Sequence, residues 1–131
     1  MIVLDENILE DQRQLLEAWR FPARQIGFDI LVKGLKDEQI LVELRRLKRP
    51  TFFTRDRGFY NRALCHRRYF LVVVEANQDE TAAFIRRFLR HAAFRTQAQR
   101  TARVVRISQT GINSWGLGRR SEAFERWDPS R

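Results

Sequence analysis

The chain has 131 residues, 44% of them hydrophobic and 31% charged, a composition that suits one globular domain and excludes a disordered or membrane-embedded chain. Its 25 Lys and Arg against 16 Asp and Glu leave a formal net charge of +9, which favours polyanionic partners, nucleic acid first among them. One cysteine, Cys65, excludes an intramolecular disulfide and a thiolate zinc cluster, and with no leader-like opening or run of membrane-span length the expected setting is cytoplasmic, with no membrane partner.

Ile2 to Leu4 is a short apolar run ending at Asp5-Glu6-Asn7, which reads as a buried strand with an acidic carboxyl end. A helix is expected next, with Ile8, Leu15, Leu16 and Trp19 near one face, and Pro22 breaks the chain before a short segment around Gln25 to Ile30. Ile40, Leu41, Leu44 and Leu47 recur at helical spacing, with Asp37 and Glu38 in the first turn, Arg45 to Arg49 at the far end and Pro50 as the stop. Thr51 to Thr54 is a second buried strand that ends at Arg55-Asp56-Arg57-Gly58, and Tyr69 to Val74 is a third, apolar throughout and closed by Glu75. Phe84, Ile85, Phe88, Leu89 and Ala92 then form the stripe of a long helix that also carries Arg86, Arg87 and Arg90. Arg103 to Ser108 is a further strand with Gly111 as the turn; beyond it, Gly116 and Gly118 point to loop and Glu122 to Trp127 to one or two helical turns. Strands alternating with helices of this length predict a single α/β domain of three layers, a mostly parallel central sheet flanked by helices.

In open α/β sheets ligands gather beyond the carboxyl ends of the strands, where Asp5, Glu6, Asp56 and Glu75 are expected. Asp37 or Glu38 reaches the same cleft from its helix, and Asp79 lies just beyond Glu75. Clustered carboxylates raise one another's pKa unless a cation neutralises them. A hard divalent ion, Mg²⁺ or Mn²⁺, prefers such oxygen ligands and completes its shell with water and substrate phosphates. The reaction that follows is hydrolysis of a phosphodiester bond by a water that the ion activates. Asp5, Asp37 and Asp56 are therefore the candidate catalytic acids, and Asp5, Glu6, Asp37, Asp56 and Glu75 the candidate metal ligands. For each, the alternative is a helix or turn cap.

Arg55 and Arg57 flank Asp56 as cations for a phosphate. With Asn7, Thr54, Arg86, Arg87 and Arg90 they make up the candidate nucleic-acid contacts. Residues 1–81 hold 14 basic and 13 acidic groups and residues 82–131 hold 11 and 3, a net +1 and +8, so polyanion binding is expected mainly of the second part. His66, His91 and Cys65 read as structural, Phe52 and Phe53 as core. Trp115 and Trp127 are candidates either for base stacking or for packing on the sheet.

Ile2-Val3-Leu4-Asp5-Glu6-Asn7, Leu35-Lys36-Asp37-Glu38-Gln39-Ile40 and Thr54-Arg55-Asp56-Arg57-Gly58-Phe59 together resemble the PIN-like nucleases, in particular the small prokaryotic group linked with toxin–antitoxin systems. The resemblance frames about the first 75 residues. It implies a PIN-like domain over 1–110, with 111–131 as a basic C-terminal extension packed on it. It also implies that Asp5, Asp37 and Asp56 are the metal-binding acids, that Glu6 accompanies Asp5, and that Thr54 is the hydroxyl beside the third acid. The implied activity is that of a metal-dependent ribonuclease acting on RNA, with DNA as an alternative substrate. Its expected partners are an antitoxin protein and a second copy of the chain. The stretch from Arg57 to Phe70 lacks the further acid of the fuller pattern, which leaves a catalytically inactive binding or interaction module as the alternative.

Overall fold

The computed structural model describes residues 1–127. Its strands are β1 (Ile2–Leu4), β2 (Ala23–Gln25), β3 (Thr51–Thr54), β4 (Phe70–Val74), β5 (Arg103–Ser108), β6 (Gly111–Gly116) and β7 (Ala123–Glu125), and its helices α1 (Glu10–Ala18), α2 (Asp37–Arg46), α3 (Thr81–Arg90) and α4 (Gln97–Arg100). The strands form one seven-stranded sheet in the order β2-β1-β3-β4-β5-β6-β7. The pairs from β2 to β5 are parallel, and β5-β6-β7 is an antiparallel meander.

Strand periodicity sorts the core into two faces. Leu4, Phe53, Phe70, Val72, Val74, Val105 and Ile107 face α1 and α3, meeting Leu16, Ile85, Phe88 and Leu89. Val3, Phe52, Leu71, Val73 and Val104 face the other way, onto Ile40, Leu41 and Leu44 of α2. Every residue of β3 and β4 is buried, which is why these central strands read as unbroken apolar runs rather than as alternation. The expected three-layer α/β architecture is therefore present.

Two of the crossovers share a face yet run in opposite directions across the sheet. The β1–α1–β2 unit steps outward to β2, whereas β4–α3–β5 steps towards β5, and α1 packs directly on α3. Opposite directions on one face mean opposite hands, so one of the two departs from the right-handed rule.

Several local expectations are corrected by the fold. On α1 the inward residues are Gln12 and Leu16, with Leu15 exposed; Gln12 is tolerated inside because its Oε1 accepts the Ala82 amide at 2.8 Å. The segment expected at Gln25 to Ile30 begins earlier, as β2, and continues only as a bridge between Ile26 and Ile30. The second helix ends at Arg46, and Arg49 lies outside it in the left-handed region at φ 47°. The helix after β4 is α3, which ends at Arg90 before the exposed Ala92. Gly116 closes a strand, and the expected helical turns at Glu122 to Trp127 are β7 instead. Gly111 is the first residue of β6 at φ 151°, where a Cβ would stand 2.7 Å from the Glu125 carbonyl oxygen.

Candidate active site

In the parallel part of the sheet, strand order 2-1-3-4-5 reverses between β1 and β3. Beyond the carboxyl ends of two such strands lies the crevice where open α/β sheets receive ligands. Ile2 pairs with Thr51 and Leu4 with Phe53, so the residues that follow, Asp5 and Thr54, emerge side by side. The Asp5 amide donates to the Phe53 carbonyl at 2.9 Å, and the Thr54 hydroxyl donates to Asp5 Oδ2 at 2.6 Å. The Glu6 amide donates to Asp5 Oδ1 at 2.8 Å. Thr54 Oγ1 also accepts the Asp56 amide at 3.0 Å. One buried hydroxyl thus fixes the spacing of the first and third acids.

Asp56 follows at the start of a 3₁₀ turn (Arg57–Phe59), and its Oδ1 accepts the Gly58 amide at 2.8 Å. It therefore fills the capping role weighed against ligation. Asp37 reaches the same place as the first residue of α2, whose start is tied by Gln39 Oε1 accepting the Lys36 amide at 2.9 Å. Gly58 lies between the two acids: a Cβ there would stand 3.1 Å from Asp56 Oδ1 and 3.9 Å from Asp37 Oδ2. A side chain at this position would press on the Asp56 carboxylate and touch that of Asp37.

The acids sense one another. Burial holds the Asp5 carboxyl above its ordinary pKa, and the charges of Glu6 and Asp56 push it further up, against the two hydrogen bonds that favour its anion. Asp37 is also raised, first by desolvation, then by the charge of Asp56 and a hydrogen bond with it, then by Asp5. The chemistry of this donor set, oxygen only and with too much negative charge in one place, fits a hard divalent cation. Among the described residues, however, no three His, Cys, Asp or Glu side chains stand in a ready-made ligating arrangement. That is compatible with Mg²⁺, which is commonly held by one or two carboxylates plus waters and substrate phosphates rather than in an all-protein cage.

The remaining expected site residues are distributed around this centre. Glu6 is half-buried and accepts the Gly34 amide at 3.0 Å, tethering the loop that leads into α2. Asn7 is exposed, and the N-cap position of α1 belongs to Leu9. Glu75, at the carboxyl end of β4, is paired with Arg57 Nε at 3.2 Å and lies near Arg106 Nε at 4.0 Å. Glu38 and Asp79 are exposed. Arg55 donates to the Ala76 carbonyl at 2.9 Å. With Arg57 and Arg87 it lines a cleft of about 950 Å³ beyond the carboxyl ends of β4 and β5, whose lining includes both chain neighbours of Asp56 but none of the three aspartates. Arg86 lies over Trp19 at 3.8 Å, Arg87 over Trp127 at 4.3 Å and Arg90 over Phe21 at 6.0 Å, so the three arginines of α3 cover aromatic rings.

The residues read as structural are placed accordingly. His91 Nε2 meets the Arg126 carbonyl at 2.7 Å, and His66 Nδ1 accepts the Arg68 amide at 3.0 Å. The Cys65 thiol, raised by burial, contacts the Trp115 carbonyl. Trp127 donates to the Ser108 carbonyl at 2.6 Å and packs on Phe84 and His91, so it stacks within the protein. One neighbour of the site had no signal in the sequence. Gln25, 1% exposed, donates to the carbonyls of Asp5 and Ile8 and so holds the turn after β1. Compared with family models, curated proteins and solved structures, the chain gives no match in any of the three.

Proposed function

We propose that the chain is a PIN-like, divalent-metal-dependent ribonuclease that hydrolyses RNA phosphodiester bonds. The observation that carries this reading is the convergence of Asp5, Asp37 and Asp56 on the strand-order reversal, where two of the three carboxyls are raised, first by desolvation and then by their neighbours' charge. In this reading Asp5, Asp37 and Asp56 hold Mg²⁺ or Mn²⁺, which when bound supplies an activated water and neutralises the scissile phosphate. Thr54 positions Asp5 against Asp56. Arg55 and Arg57 orient the phosphodiester from the adjoining cleft. Glu6, by tethering Gly34, keeps the Asp37 loop in place.

Labelled single-stranded and hairpin RNA incubated with the wild-type chain and with Asp56→Asn, in Mg²⁺, Mn²⁺ or EDTA, tests the reading. Cleavage by the wild type alone, abolished by EDTA, is expected; a matched DNA strand tests the alternative substrate. The second reading, a module that binds nucleic acid or protein without cleaving, is favoured by one observation. Glu75, the acid available beyond the third aspartate, is engaged by Arg57 and Arg106. RNA binding that persists with no cleavage in any cation would select it. The proposal extends to a cytoplasmic setting, a self-paired dimer and a restraining antitoxin. Stable complex formation with a small DNA-binding protein encoded beside this chain is the test of the last. No described helix is long and apolar enough to cross a membrane.

A further inference from the structure

A second charged site lies at the opposite end of the sheet. Pro50, Thr51, Tyr69 and Phe70, at the amino ends of β3 and β4, line a notch with Arg49, Arg67, Arg68 and Arg100, and no acidic residue lines it. The turn before β3 is held by Gln97, whose Nε2 donates to the Arg49 carbonyl at 3.3 Å. Arg45 joins from the end of α2, where its carbonyl accepts Arg68 Nε at 3.1 Å. Among the described residues none of these five arginines is in an ion pair, and Glu43, the nearest acid along α2, is paired with Arg46. The cluster's field registers on its neighbour: the charges of Arg45, Arg68 and Arg67 add to partial burial in making His66 less basic than usual. Five guanidiniums gathered without a counter-charge repel one another, and a phosphate group relieves that repulsion while using their forked donors.

The size of the notch selects the ligand. At about 20 Å³ it is far below the roughly 300–1,000 Å³ of a small-molecule pocket, and it admits one phosphate oxygen or water at a time, with the exposed Arg49, Arg67 and Arg68 and the half-buried Arg100 around it. That form matches a phosphodiester backbone, whose groups are presented singly along a strand. We propose that the amino end of the sheet, through Arg45, Arg49, Arg67, Arg68 and Arg100, is a second nucleic-acid site that reads phosphate and not base. It extends the nucleic-acid reading above but takes no part in its chemistry, since the length of β3 separates the notch from the aspartates.

The test uses the full chain carrying Asp56→Asn, in EDTA, so that neither cleavage nor a metal enters. A labelled single-stranded RNA of mixed sequence is titrated by fluorescence anisotropy over a range of KCl concentrations. Arg67→Gln/Arg68→Gln should weaken binding about tenfold for every sequence and reduce the salt slope by about 1.4, at about 0.7 for each phosphate that is no longer neutralised. Arg119→Gln/Arg120→Gln removes the same charge from the exposed turn after β6 and should change both far less; thermal melts confirm that both variants are folded. Equal effects in the two pairs, or no effect at Arg67 and Arg68, overturn the site. Binding of inorganic phosphate by the wild type, lost in Arg67→Gln/Arg68→Gln while the same substitution leaves RNA affinity unchanged, overturns the backbone assignment in favour of a free anion. Cation-dependent cleavage retained by Arg67→Gln/Arg68→Gln in a chain that keeps Asp56, together with unchanged RNA affinity, removes this site and leaves the nuclease reading standing. Loss of RNA affinity on the same substitution in a chain that never cleaves does the reverse.

Discussion

Thr54 is the residue on which the candidate site turns, because its one hydroxyl donates to Asp5 and accepts from the Asp56 amide. Thr54→Val keeps the shape and removes both bonds, leaving a carboxylate buried without its strongest partner. A loss of about 2 kcal/mol is expected in urea unfolding, restored in large part by Thr54→Ser. The raised carboxyls set the pH dependence. Asp5 and Asp37 bind their protons more tightly in the folded chain than in the unfolded one, whose value is 3.8. As pH rises from about that value through the raised folded ones, ionisation favours the unfolded state, so metal-free stability falls across this window and stays lower at neutral pH. Asp37→Asn removes part of that penalty and should raise the melting temperature at pH 7 by about 2 °C, a figure scaled to an exposed charge; in the wild type Mg²⁺ should narrow the difference. At this scale Asp5, Asp37 and Asp56 were legible because strand ends and a helix's first turn announce themselves in local sequence. The partners of Glu75 were not: its amide pairs with the Ile107 carbonyl and its side chain meets Arg57 and Arg106, contacts that exist only once β4 lies between β3 and β5.

Among the elements α3 carries the clearest signature, with Phe84, Ile85, Phe88 and Leu89 buried on one stripe. Phe88 is its centre, with rings of Phe53, Phe70 and Phe94 at 6.0, 5.8 and 5.1 Å. Phe88→Ala should cost about 3–5 kcal/mol in chemical denaturation, the largest loss expected from a single truncation on this face. The elements that escaped the sequence are those without a buried side to mark them. All three residues of β7 are exposed, so no alternation distinguishes it from a turn, and it exists because Ile112 to Ser114 of β6 offer it a ladder. The amino-terminal helix was legible in position but not in facing, since a buried Gln12 satisfied by Ala82 on another helix breaks the apolar stripe.

For the whole molecule, division of charge along the chain is not division in space. The +8 of residues 82–131 and the +1 of residues 1–81 predict a basic second half, yet the notch at the amino end of the sheet gathers Arg49, Arg67 and Arg68 from the first and Arg100 from the second. The same interleaving governs folding. Residues 1–81 contain β1 to β4 but lack α3, which covers Phe53, Phe70, Val72 and Val74, and β5, which pairs with β4. A fragment of residues 1–81 should therefore show no cooperative thermal transition by circular dichroism, whereas the full chain should show one.

By itself the sequence determined the α/β class, the buried central strands, the amphipathic helices and the three aspartates at element ends, because each depends on the pattern of a few neighbouring residues. Tertiary structure decided the rest. Strand order put Asp5 and Thr54 side by side at the crevice, crossover direction placed α1 and α3 on one face, and strand pairing made β7. It also brought five arginines from distant segments to one end of the sheet. Each of these is a contact between residues far apart in the chain, and such contacts are chosen by how whole faces bury one another, which no local pattern encodes.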